Sequence, residues 1–282
     1  MIKVLTAGLY TSVQDLGRFG LRNYGVPNSG AMDVVSFRFA NALLNNHKND
    51  AALEITLIGP KLLFFKETQI VITGADMSAE INNIAIKTYK VYNIKKGDIL
   101  SFGNLKYGTR AYLAVKGGIQ SKIVLKSRSF FNEISDKNSI YKNDELNFNE
   151  FKKPFLDLKS RLKINDKVFI SNTLEVYKGP DLELFSFEEI NKIKSTTFTV
   201  SNNNNRMGYQ LNETVLRHTK SIITSPVLPG TIQLLPSGKL IILMKDAQTT
   251  GGYPRIFQLT EESISILAQK KRNDQIVLKL LD

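Results

Sequence analysis

The apolar residues of this chain come in short runs, each closed by a turn signal. Gln69-Ile70-Val71-Ile72-Thr73 and Arg110-Ala111-Tyr112-Leu113-Ala114-Val115 are β-rich and end at glycine-containing turns. Lys96-Gly97-Asp98 is a turn before Ile99-Leu100-Ser101-Phe102, and Pro236-Ser237-Gly238 reads as a hairpin turn before Lys239-Leu240-Ile241. Val168-Phe169-Ile170 reads as a further strand. Helical spacing is rarer. Asp33 can cap a helix carrying Val34, Phe37, Ala40 and Leu44, ended by Asn45-Asn46. Ser186 with Glu189 forms a capping box, and Thr260 can cap a last helix with Ile264, Leu267 and Ala268 on one face. Many short strands with few helices predict a mainly β protein of barrels or sandwiches. The polar, lysine-rich stretch from about Asp144 to Asp166, with Pro154, is read as the connection between two β-rich domains, 1–150 and 151–282.

Other features limit what the protein can be. Its 282 residues suffice for one large or two modest cores. There is no cysteine, so disulfides, thiolate metal sites and a cysteine nucleophile are excluded. Two histidines are too few for a histidine-rich metal site, and no metal is expected on this chain. His47 and His218 lie outside the motif-like segments and are read as surface residues. The N-terminus lacks the apolar core of a signal peptide, and no run approaches the roughly 18–20 apolar residues of a membrane span. A cytoplasmic protein with no membrane partner is expected. The net charge of +12 comes from scattered lysines without an aromatic-and-basic motif, so no nucleic-acid partner is expected either. An acidic partner protein or an anionic substrate would suit this charge.

The stretch Gln248-Thr249-Thr250-Gly251-Gly252-Tyr253-Pro254 lies between two apolar runs, Leu240–Met244 and Ile256–Leu259. Two readings are open. Gly-Gly between apolar runs is a common hairpin signal. An amide and two hydroxyls beside glycines, which allow close backbone approach or φ > 0, also suit a ligand-handling turn. Further segments recur along the chain: Gln14-Asp15-Leu16-Gly17-Arg18, Gly25-Val26-Pro27-Asn28-Ser29-Gly30-Ala31-Met32-Asp33, Thr73-Gly74-Ala75-Asp76, Ser127-Arg128-Ser129, Gly179-Pro180, and Ser201 with Arg206-Met207-Gly208. In this order they closely resemble the KipA-type family. That family includes the C-type subunit of the bacterial ATP-dependent 5-oxoprolinase and is similar to part of the carboxyltransferase region of urea carboxylase. The resemblance runs from about Gly8 to Gln258. It implies a cyclophilin-like β-barrel in the second half.

Candidate site residues lie in these segments. Carboxylates in turn-like places can act as a base or orient a water. Asp15 and Asp76 are candidates of this kind, beside plainer roles as turn residues. Asp246 shares the pattern, and Asp33 is read as the helix cap. Arg18, Arg128 and Arg206 suit two-pronged contact with a carboxylate or phosphate; an internal ion pair bracing loops is the other reading. Asp15, Asp76 and Arg206 are assigned as catalytic. Gln14, Arg18, Arg128, Gln248, Thr249, Thr250, Gly251 and Gly252 are assigned to substrate binding. Most of these residues are expected to line one cleft.

The resemblance implies a component of a 5-oxoprolinase that uses ATP to open 5-oxoproline to glutamate, inactive alone and assembled with A-type and KipI-like B-type subunits. A five-membered lactam is a poor electrophile, and an anionic intermediate formed with ATP calls for arginines and backbone N–H donors. No familiar phosphate loop occurs, so ATP is expected to act in the complex. Biotin is not expected on this chain, which has no carrier segment. Two alternatives keep the fold: a biotin-dependent carboxyltransferase-like protein, and a regulatory partner of a KipI-type kinase inhibitor. One departure stands out. Relatives carry a glycine-rich stretch after Ser-Arg-Ser, whereas Phe131–Ser139 has no glycine. Phe19 stands where relatives often have proline.

Overall fold

The computed structural model describes residues 1–149 and 167–281. They form two compact units. One comprises Met1–Arg18 and the described residues from Ser29 to 149. The other comprises Phe19–Asn28 and the described residues from 167 on. The expected connection at about Asp144–Asp166 lies mostly outside the described residues; its first part holds a short strand, Glu145–Leu146.

The first unit contains strands β1 (Ile2–Thr6), β2 (Tyr10–Gln14), β3 (Ala52–Thr56), β4 (Lys61–Phe64), β5 (Thr68–Asp76), β6 (Ala79–Ile81), β7 (Ile84–Ala85), β8 (Tyr92–Ile94), β9 (Ile99–Phe102), β10 (Tyr107–Val115) and β11 (Glu145–Leu146), with helix α1 (Val34–Leu43). They build a six-stranded sheet, β11-β1-β4-β9-β6-β7, and a five-stranded sheet, β2-β3-β10-β5-β8. Strand alternation explains the layering. Ala111, Leu113 and Val115 of β10 join Leu53 and Ile55 of β3 in a core shared with Ile2, Leu62, Phe64 and Leu100 of the other sheet. Tyr112 and Ala114 point the other way and pack with Phe37, Ala40, Leu43 and Leu44 at α1. The central strands are therefore covered on both faces, which is why they read as nearly unbroken apolar runs. Burying Phe37 alone contributes about 1.5–3 kcal/mol.

Local chemistry sets the helix ends. Asp33 caps α1, its carboxylate accepting from Ser36 N–H at 2.9 Å and from Ser36 Oγ at 2.6 Å. Asn45, just past the helix, takes the left-handed conformation at φ 50°.

The second unit contains β12 (Thr173–Lys178), β13 (Thr197–Asn204), β14 (Gly208–Thr214), β15 (Ser225–Pro226), β16 (Thr231–Leu234), β17 (Lys239–Leu243), β18 (Thr250–Gly251), β19 (Arg255–Leu259) and β20 (Gln275–Leu280), with helices α2 (Lys167–Ile170), α3 (Phe187–Ser195) and α4 (Glu261–Ala268). Seven strands close a barrel in the order β12-β19-β16-β17-β14-β13-β20, sealed by the parallel pair β12–β20. The mainly β fold with a barrel in the second half is thus present. Ser186 and Glu189 form the expected capping box, Thr260 caps α4, and Pro236–Gly238 joins the antiparallel pair β16–β17.

One reading is corrected. Val168–Ile170 is part of a helical turn; a short β-branched run cannot be told from a helix by periodicity. Asn202–Asn204 ends β13, where Asn204 pairs with Tyr209. Among the described residues no helix is long and apolar enough to cross a membrane.

Candidate functional site

In the first unit, β2 delivers Gln14 and the turn Asp15–Gly17. Asp15 is 1% exposed, and its carboxylate gathers four donors. Oδ1 accepts from Gly17 N–H at 2.7 Å, Ser127 Oγ at 2.7 Å and Ser129 Oγ at 2.6 Å, while Oδ2 accepts from Arg128 N–H at 2.7 Å. Ser129 Oγ also accepts from Asp15 N–H at 3.0 Å. Buried Arg18 donates from Nη2 to Ser129 C=O, and buried Gln14 donates to Ser12 Oγ at 3.0 Å and Phe130 C=O at 3.3 Å. Gln14, Asp15, Arg18 and the Ser127–Phe130 segment therefore form one laced group. The Arg128 guanidinium turns aside to Ser121 C=O and Gln120 Oε1. The glycine-free segment that follows is a turn built on Ser135, whose Oγ accepts from Phe131 N–H at 2.7 Å and donates to Lys137 C=O at 2.6 Å. Asp76 is engaged elsewhere, by Ser78 N–H at 2.9 Å and Lys106 Nζ at 3.3 Å.

A second buried polar group in this unit was not singled out from sequence. Glu54, in the middle of β3, accepts from Met32 N–H and from Tyr112 Oη, both at 2.8 Å. Tyr112 Oη in turn accepts from Asp33 N–H at 2.7 Å. The available signal was a carboxylate inside the apolar run Ala51-Ala52-Leu53-Glu54-Ile55, which needs partners when buried. Burial first, then the charges of Glu54 and Asp33, push the Tyr112 phenol well above its usual value. Burial likewise pushes Tyr89 up to about 12.

A folded-state value raised above the unfolded value of about 10 stabilises the fold fully below that pH. The contribution is lost as pH rises toward the folded value. Urea unfolding between about pH 9 and 12 is expected to show falling stability, with Tyr112 accounting for up to about 1.4 kcal/mol per pH unit. Tyr112→Phe should flatten that slope, and an unchanged slope would refute the assignment.

In the second unit, Arg206 lies in the turn between β13 and β14 and Asp246 in the loop after β17. They form a two-pronged pair, Nε–Oδ2 2.7 Å and Nη2–Oδ1 3.1 Å, with each side chain 8% exposed. Asp246 N–H also donates to Arg206 C=O at 2.8 Å. This is the geometry of a brace between two loops. The histidines make local contacts: His218 lies edge-on to Phe185, and His47 accepts from Asn49 N–H.

The Gln248–Pro254 stretch is not a hairpin. β17 and β19 do not pair with each other but flank β16, so the connection crosses the end of that strand. Thr250–Gly251 pairs instead with Ser225–Pro226, Thr249 C=O accepts from Val227 N–H at 3.0 Å, and Gly252 C=O accepts from Ile222 N–H at 3.3 Å. Neither Gly251 nor Gly252 has a positive φ. A Cβ on Gly251 would lie 2.6 Å from Gln233 Nε2, whereas Gly252 has room for one. Gly251 is thus a close-approach position, with the Gln233 amide holding Tyr253 C=O at 3.1 Å.

The backbone of this loop has one further partner, Arg22, a residue between two motif segments that no sequence signal marks. Arg22 Nη2 donates to Val227 C=O and approaches Gln248 C=O at 3.4 Å and Thr249 C=O at 3.5 Å. Burial draws the Arg22 guanidinium below its ordinary value. The side chains of Gln248, Thr249 and Thr250 make no hydrogen bond among the described residues; Gln248 and Thr250 are exposed and Thr249 half-buried. The result is a backbone held by its neighbours that carries an amide and two hydroxyls, donors and acceptors alike.

Comparison with known proteins places this arrangement in context. A family model described as "Carboxyltransferase domain, subdomain A and B" matches residues 24–280. The chain is 33% identical to the C-type subunit of 5-oxoprolinase from Escherichia coli over 275 residues, 95% of this chain and 87% of that protein. It is 30% identical to the protein of the same name from Haemophilus influenzae, covering 98% of this chain and 90% of that one. The crystal structure of the K. lactis urea amidolyase superposes with a TM-score of 0.90 at 30% identity; the match covers 100% of this chain but only 19% of that much longer protein.

Proposed function

The chain belongs to the carboxyltransferase-domain family of subdomains A and B, and from that premise we propose that it is the C-type subunit of an ATP-dependent 5-oxoprolinase. The observation that carries this reading is the likeness to the E. coli protein across nearly the full length of both chains. In this reading the complex opens the lactam of 5-oxoproline to glutamate, and other subunits, an A-type chain and a KipI-like B-type chain, complete it. ATP, handled by the assembly, activates the lactam. This chain contributes binding and orientation. Gln248, Thr249 and Thr250 hydrogen-bond a polar substrate, since their side chains make no hydrogen bond among the described residues. Asp15 and Arg206 act by holding loops, each being engaged by internal partners. A cytoplasmic location accords with this role.

Co-expression with A-type and B-type partners, followed by an ATP-dependent assay for glutamate release from 5-oxoproline, tests the proposal. The assembled complex is expected to turn over and the isolated chain to be silent. Robust turnover by the chain alone, or an inactive full complex, would overturn it. The likeness to urea amidolyase favours one second reading, a protein that accepts a carboxyl group from biotin on a separate carrier. Carrier-dependent carboxylation without glutamate release would select it.

A further inference from the structure

We propose that Arg22 is a positioning residue for the Gln248–Thr250 loop, setting the direction in which its free side chains meet the substrate. The inference deepens the 5-oxoprolinase reading and rests on it for the identity of the substrate. Three observations carry it. The Phe19–Asn28 segment belongs to the same compact unit as the loop, although more than 200 residues separate them in sequence. Its helical turn, Arg22–Tyr24, is locked by Gly25, whose φ of 78° lets Gly25 N–H close onto Arg22 C=O at 3.0 Å. That rigid turn presents one guanidinium to three carbonyls: Val227, Gln248 and Thr249.

The planar head explains the preference for arginine. Nη2 makes all three contacts, closest to Val227 C=O, while Nη1 lies buried beside it, a space that a compact ammonium would not fill. Val227 is itself bonded to the loop, its N–H donating to Thr249 C=O at 3.0 Å. The guanidinium therefore closes a ring of backbone contacts beneath Gln248 and Thr249. With the backbone held, the Gln248 amide and the Thr249 and Thr250 hydroxyls keep fixed origins, and a misplacement of about 1 Å at such groups costs roughly 100-fold in rate.

Two readouts test this on the whole chain. Amide hydrogen exchange of the isolated protein should show Val227 and Ile222 losing about tenfold or more protection in Arg22→Ala, with the midpoint of thermal unfolding near that of the wild type. In the assembled complex, Arg22→Ala should lower kcat/KM for 5-oxoproline by roughly 10–100-fold. Millimolar guanidinium should restore part of the loss, and methylammonium should not. Arg22→Lys should recover only a fraction. Unchanged protection at Val227 and Ile222 overturns the proposal. So does altered protection with full activity, or equal rescue by both cations. If the wild-type complex fails to open 5-oxoproline, the functional reading falls, and the exchange measurement still decides the role of Arg22.

Discussion

Replacing Asp15 by alanine is expected to destabilise the first unit by about 4 kcal/mol, measured as a lowered urea midpoint. Its carboxylate is buried and accepts from two backbone N–H groups and two serine hydroxyls, all at 2.6–2.7 Å. Alanine leaves all four donors without their acceptor in a place water does not reach, and each orphaned group costs about 1–3 kcal/mol before the structure relaxes. Asp15→Asn separates structure from chemistry. The amide oxygen can keep the three donors on Oδ1, while its NH2 would face Arg128 N–H, so the loss should be about half as large. If Asp15 acts only by holding the turn, complex activity will follow the folded fraction. Lost activity in a fully folded Asp15→Asn variant would assign the carboxylate a chemical role.

The second large effect is expected at Arg206 and Asp246. Each side chain is 8% exposed and the pair is two-pronged, so removing either partner takes the two-pronged counter-charge away from a buried group. Arg206→Ala and Asp246→Ala should each cost about 3–5 kcal/mol. The double variant Arg206→Met/Asp246→Leu should recover most of that loss, because a buried ion pair contributes little beyond apolar residues of similar volume. A double-mutant cycle by chemical denaturation measures the coupling. Additive losses, with no recovery in the apolar pair, would contradict the brace. Retained activity in a folded Arg206 variant would also remove it from the chemistry.

What the sequence determined by itself is local. The caps at Asp33, Ser186 with Glu189, and Thr260 were legible because each is settled by a side chain and an N–H three residues away. The strands Gln69–Thr73 and Arg110–Val115 were legible because central strands covered on both faces must be apolar throughout. The order of short motifs along nearly the whole chain carried the family. Tertiary structure alone decided the rest. Whether Leu240–Met244 and Ile256–Leu259 pair depends on β16, which inserts between them, and no turn signal in Thr250-Gly251-Gly252 reports a third strand. Gly251 is small because Gln233 lies against it, not because its backbone needs a positive φ. Glu54 reads as an interruption of β3 until Tyr112 Oη and Met32 N–H surround it. Arg22 is one basic residue among 38 in the sequence and becomes distinctive only where folding brings Val227, Gln248 and Thr249 to its guanidinium. The physical reason is common to all four. Caps and strand patterns are fixed by neighbours a few residues away, whereas partners contributed by another strand or loop exist only after the chain has chosen its topology.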